Sequence, residues 1–99
     1  MNFEIAPKST EIRLNWFDAK LYCFALNIDG KTGWRLPDEE ELNEIYESEN
    51  DFVGNYYWSS TEINGKYAWD QNFSTGTQYQ YHQKNMGSLY VRATRRSTI

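Results

Sequence analysis

Cysteine, histidine and proline are scarce in this 99-residue chain, and each scarcity closes off a class of chemistry. A single cysteine, Cys23, allows no intrachain disulfide. With His82 as the only histidine, a structural zinc site has too few ligands. That lone histidine also leaves Ser59, Ser60 and Thr61 without the elbow motif that a serine hydrolase needs. No Gly-rich phosphate loop or dinucleotide fingerprint occurs. No apolar run approaches the ~20 residues that cross a bilayer, and Met1-Asn2-Phe3-Glu4 lacks a signal peptide's charged and apolar regions. The expectation is a soluble protein with no enzymatic activity, cofactor or membrane association, either cytoplasmic or part of a virion. If the chain is a fragment of a secreted parent, it is extracellular instead. Cys23 lies among Leu21, Tyr22, Phe24 and Ala25 and is expected as a buried, inert thiol.

Aromatic residues are plentiful. They make up 17% of the chain, with 4 Trp, 8 Tyr and 5 Phe, whereas all apolar residues together reach only 39%. A core of a few large rings is implied, each burying on the order of 150–250 Å². The surplus tyrosines suit either strands or an exposed recognition surface. The net charge of −4 argues against nucleic acid as a partner. Residues 38–51 carry eight of the 14 acids and no Lys or Arg, so the remaining chain has 10 bases against 6 acids. That run reads as a solvated helix face or as an acidic patch for a basic partner.

Ninety-nine residues make one domain, residues 1–99. Phe3 with Ile5, and Ile12 with Leu14, alternate around Pro7 as one broken strand or two short ones. Asn15 offers an N-cap to a helix of about 12 residues, with Trp16, Ala19, Tyr22 or Cys23, and Leu26 at helical spacing. Pro37 forces Leu36 towards extended geometry and keeps a second helix separate. Asp38 and Glu41 form a capping box, and Leu42, Ile45 and Tyr46 are its inward stripe. The helix is expected to end near Ser48, with Glu47 and Glu49 fraying it. From Tyr56 the period becomes two. Strands are expected over 57–61, 67–73, 78–82 and 89–94, the first two joined by the Asn64-Gly65 hairpin signal. Tyr67, Trp69, Gln71 and Phe73 share one face of their strand; Ala68, Asp70 and Asn72 share the other. Leu89, Val91 and Ala93 face the core, and the polar tail Arg95-Arg96-Ser97 is expected to be loose at its end. The pattern is two helices beside an antiparallel sheet, an α+β fold.

Several strings in this order match one family: Trp16-x-x-Ala19-x-x-Tyr22-Cys23-x-x-Leu26, Gly33-Trp34-Arg35-Leu36-Pro37, Glu41-Leu42-x-x-Ile45, Tyr57-Trp58-Ser59-Ser60-Thr61, Ala68-Trp69 with Phe73 and Gly76, and Val91-Arg92. Over about residues 14–95 the chain resembles the DUF1566 family, which includes the C-terminal domain of the Legionella collagen-like adhesin. The resemblance implies a C-type-lectin-like fold: two helices flanking a twisted antiparallel sheet, with the termini close together. It also implies a module of bacterial surface or phage proteins, and in the adhesin a binder of sulfated glycans. Trp16, Trp34, Leu36, Pro37 and Trp58 then read as architecture, with Arg35 bonding backbone carbonyls or a carboxylate. Sulfatase-activating enzymes share the broad fold but need a cysteine pair or copper, which a single cysteine does not supply. Trp69-Asp70-x-Asn72 is similar to the calcium motif of sugar-binding lectins, but in a different residue order and without the Glu-Pro-Asn partner, so no metal is expected.

The functional expectation is a non-catalytic recognition module for a protein partner, in the manner of a phage or mobile-element protein acting on a host factor. The alternative is a glycan-binding, adhesin-type module. The candidate contact residues are Asn64, Asp70, Asn72, Gln78, Tyr79, Gln80, Tyr81, His82 and Asn85, a polar-aromatic set nearly free of charge. Exposed aromatic strands also make a homo-oligomer an option.

Overall fold

The computed structural model describes residues 2–48 and 51–97. Strand β1 (Phe3–Ile5), a 3-10 turn (Lys8–Thr10) and β2 (Ile12–Arg13) precede helices α1 (Trp16–Ala25) and α2 (Glu39–Ser48). Strands β3 (Tyr56–Glu62), β4 (Tyr67–Asn72), β5 (Gln78–Gln83), β6 (Tyr90–Val91) and β7 (Thr94–Arg96) complete the chain. The main sheet has the order β2-β6-β3-β4-β5, and β1 pairs with β7 in a separate ribbon. This is the expected α+β architecture, and the β1–β7 ribbon brings the two ends of the described chain together.

The central strand β3 explains why both faces of the sheet are covered. Tyr57 and Trp58 are adjacent, both 0% exposed, and by strand alternation they point to opposite faces. Trp58 joins Trp16, Ala19, Cys23, Trp34 and Leu36 under α1, whereas Tyr57 joins Phe3, Leu42, Ile45 and Phe73 under α2. The indole N–H of Trp16 donates to Ser59 O (2.8 Å), that of Trp58 to Leu14 O (2.9 Å) and that of Trp34 to Lys31 O (3.0 Å). Each large ring therefore buries its area without leaving a donor unpaired. Burial pushes the Cys23 thiol up to about 12, as expected for an inert sulfur.

The capping chemistry matches the residues. Asn15 Oδ1 accepts the Asp18 N–H at the start of α1. At α2, Asp38 accepts the Glu41 N–H (2.8 Å) while Glu41 accepts the Asp38 N–H (3.0 Å). Gly33, with φ of +83°, turns the chain into Trp34, a conformation that a side chain would strain. Arg35 then grips Glu41 with both terminal nitrogens (2.6 and 2.8 Å), and its backbone bridges to Thr94. The bond between them holds the Glu41 carboxyl below its usual range and the Arg35 guanidinium above its own.

Several expectations need correction. Helix α1 spans 10 residues, because Leu26 leaves helical geometry at ψ 133°. The expected strand over 89–94 is two strands, β6 and β7, in different sheets. Its interruption at Arg92 has a clear cause: the buried Arg92 side chain bonds Ala6 O (2.6 Å), Asp51 O (2.8 Å) and Glu11 (2.6 Å). Glu11 also accepts from Tyr57 Oη and the Val53 N–H. The sheet is not wholly antiparallel, since β3 pairs with β6 in parallel. The tail is held through Arg96, where Arg95 bonds Thr32 O (2.8 Å) and Glu4 and β7 pairs with β1; the chain's last two residues lie outside the described ones. The hairpin forms at Asn64-Gly65, but through a four-residue connection between Glu62 and Tyr67. The end of α2 beyond Ser48, including Glu49, lies outside the described residues.

Candidate recognition face

Strand β4 carries a register shift between Ala68 and Asp70 relative to β5. Ala68, Asp70 and Gln71 of β4 are buried, while Tyr67, Trp69 and Asn72 are half-buried. Asp70 was expected on an exposed face; instead it is 1% exposed, because β5 and its rings cover it. One of its oxygens, Oδ1, lies 2.6 Å from His82 Nδ1 on β5. The other, Oδ2, is buried without a hydrogen-bond partner. Burial raises the Asp70 carboxyl to about 6, against the opposing effect of the bond to His82.

Around this pair sits a ring cluster. Tyr56 lies 5.4 Å from His82 and 6.0 Å from Tyr79 between centroids. Tyr79 lies 5.2 Å from Tyr81, and Tyr81 lies 5.3 Å from His82. These are ordinary edge-to-face and tilted distances for aromatic pairs. Tyr81 is 65% exposed, while Tyr56, Tyr79 and His82 are half-buried, so the cluster has an inner wall and an outer ring. Tyr79 pairs with Asp70 and His82 with Ala68, and the extra residue of β5 between these pairs puts Tyr79 and His82 on one face.

The other expected contact residues do not join this group. Gln78 turns to the opposite face, where its amide donates to Glu39 O (2.7 Å) and Gln71. Asn64 Oδ1 accepts from the Lys66 and Tyr67 N–H groups and builds the hairpin. Asn72 Oδ1 accepts the Ser74 N–H (2.7 Å) at the next turn. Gln80 is exposed on the edge strand. Asn85 lines a separate depression of about 220 Å³ beside Phe17, Lys66 and Lys84. The surface expected from 64 to 85 is thus one cluster and several turn residues.

Sequence reasoning missed two features. Tyr56 belongs to the cluster; its position two residues before Trp58 on an alternating strand is the signal that finds it. On α1, Phe17 (51% exposed), Leu21 (67%) and Phe24 (83%) form an apolar stripe. They recur at i, i+4 and i+7, the complement of the inward residues Trp16, Ala19 and Cys23. Phe17, Lys20, Leu21 and Phe24 line a groove of about 420 Å³, and Phe24 continues into a second one bounded by Trp34, Arg35 and Leu36. The motif's Arg35 thus borders this apolar ground from its wall.

The helices flank a sheet whose edge strand presents a preformed ring cluster. These features define a small α+β domain with an open aromatic edge. The chain belongs to the Lcl C-terminal domain family, whose profile matches residues 4–95. No curated protein matches it. No described helix is long and apolar enough to cross a membrane.

Proposed function

We propose that this domain is a non-catalytic recognition module that binds a protein partner through the tyrosine face of β5. The observation that carries this reading is the packing of Tyr56, Tyr79, Tyr81 and His82 at centroid distances of 5.2–6.0 Å over a buried carboxylate. Rings held by one another lose little freedom on binding, and tyrosine offers both apolar area and a hydroxyl. Membership of an adhesin-type family supports recognition as the general task. The apolar stripe of Phe17, Leu21 and Phe24 favours a protein over a small molecule, because contiguous exposed apolar surface is characteristic of protein contacts.

Glycan binding is the second reading, and one observation favours it. Arg13 and Tyr56 line the same depression of about 270 Å³, with Gly54, Ser88 and Tyr90. A guanidinium suits a sulfate or carboxylate, and a ring suits the face of a sugar. Gly54 is required there, since a Cβ would stand 2.1 Å from the Tyr90 ring.

Affinity capture and a glycan array, run with the wild type and with the Tyr79→Ala/Tyr81→Ala variant, test the proposal. Expected is a saturable protein partner lost in the variant, with a blank array. An array signal, sulfated glycans included, with no variant-sensitive protein capture transfers the assignment to glycans.

A further inference from the structure

We infer that the ring cluster of β5 is a receptor for a cationic side chain, the guanidinium or ammonium of an arginine or lysine on the protein partner. The cation sits against the rings of Tyr56, Tyr79 and Tyr81, above the carboxylate of Asp70. This inference rests on the recognition reading above and names the chemistry of its partner.

Three observations converge. The first is the rings themselves, whose faces carry the negative part of the aromatic quadrupole and attract cations within about 6 Å. Tyr79 neighbours both Tyr56 (6.0 Å) and Tyr81 (5.2 Å), which makes it the centre of the ring group. The second is Asp70. Its side chain is fully buried, His82 occupies Oδ1, and Oδ2 has no partner. An unpaired buried carboxylate oxygen is uncommon, and in a low-dielectric setting its potential reaches the surface above it. The Tyr81 hydroxyl is pushed above its ordinary range, chiefly by desolvation and then by Tyr79, Tyr56 and, least, Asp70.

The third observation is how the chain treats its other rings. Lys84 and Lys20 stand 4.4 and 4.6 Å from the Trp16 ring. Lys66 lies over Tyr67 at 5.6 Å, Arg95 over Trp34 at 5.7 Å and Arg13 over Tyr90 at 5.9 Å. Among the described residues, no Lys or Arg covers Tyr56, Tyr79 or Tyr81. The ring group beside the unpaired carboxylate oxygen thus has no cation of its own among the described residues. The chain's net charge of −4 would also draw a basic partner towards it.

Isosteric probes provide the test. The full chain is titrated with N-acetyl-arginine amide and, separately, with its neutral isostere N-acetyl-citrulline amide, and ring resonances are followed by NMR. Arginine amide should shift Tyr79, Tyr81 and Tyr56 saturably, with an affinity at least about fivefold above citrulline amide. Asp70→Asn should remove most of that preference and leave citrulline binding unchanged. Because Asp70 is buried and its variant could misfold, Tyr81→Leu is the companion; exposed Tyr81 is replaceable without disturbing the core. It should also lower the arginine preference. Equal shifts from both probes, or arginine shifts on the acidic face of α2 instead, overturn the inference. If Tyr79→Ala/Tyr81→Ala abolishes partner capture while the probes show no charge preference, the recognition face stands and the cation does not. If capture survives that variant, the face itself is wrong.

Discussion

Arg92 and Glu11, 81 positions apart, meet at 2.6 Å with side chains 4% and 0% exposed. This contact ties the first strands to the last and stops the strand that begins at Tyr90. Glu11 further holds Tyr57 and the Val53 N–H, while Arg92 holds Ala6 O and Asp51 O. Removing one member of a buried pair leaves the other charge unpaired, at a cost of about 3–5 kcal/mol. Arg92→Met should therefore lose that much in urea denaturation, and Arg92→Met with Glu11→Gln should lose less than the two single losses added. A loss below about 1 kcal/mol in Arg92→Met contradicts the role.

Stability should rise as the pH falls from about 7 towards 5. Asp70 titrates near 6 in the folded state, against an ordinary value of 3.8, because it is buried. In that window the folded chain binds a proton that the unfolded chain does not, so acidification favours folding. The contribution is at most roughly 3 kcal/mol. The groups facing the carboxyl are His82, Tyr79, Tyr56 and Tyr81. Glu4, Glu41 and Glu62 act in the opposite sense: held below 4.5 by Lys31, Arg35 and Lys84 respectively, they lose stability only as the pH falls further. Denaturation measured from pH 7.5 to 4.5 should slope in the wild type and flatten in Asp70→Asn. Equal slopes in both would remove Asp70 as the cause.

Trp34→Ala should cost about 3–5 kcal/mol, the range for a large buried aromatic. Trp34 is 5% exposed, packs in the α1 core and donates to Lys31 O. Thermal unfolding at the wild-type temperature would contradict its place as a core plug.

Phe24→Ser should leave stability within about 0.5 kcal/mol, since Phe24 is 83% exposed. It should weaken partner capture or self-association if the α1 stripe is used as a contact. A drop in melting temperature of many degrees would show instead that the ring is structural.

Much of the fold was legible because its signals are local. Asn15 and the Asp38–Glu41 box start the helices through side chains three residues away, and Pro37 separates them, so short-range chemistry sufficed. The period of two from Tyr57 marked a strand, and Gly33-Trp34-Arg35-Leu36-Pro37 with the other strings in order carried the family resemblance. The recognition face was legible only in part. Tyr79, Tyr81 and His82 could be listed as surface residues, but Asp70 could not be known as buried. It shares a face with Ala68, and the extra residue of β5 opposite Trp69 brings Tyr79 and His82 to that same face, which no local pattern announces.

The sequence by itself determined the two helices with their caps and the strands of the β3–β4 hairpin, because each follows from spacing within a few residues. The tertiary structure alone decided where the 89–94 strand breaks, since Glu11, which pairs with Arg92, is 81 residues away. It alone also gathered Tyr56 with Tyr79, Tyr81 and His82 over Asp70. That grouping depends on which strands lie side by side and in what register, and register is set by long-range packing rather than by neighbouring residues.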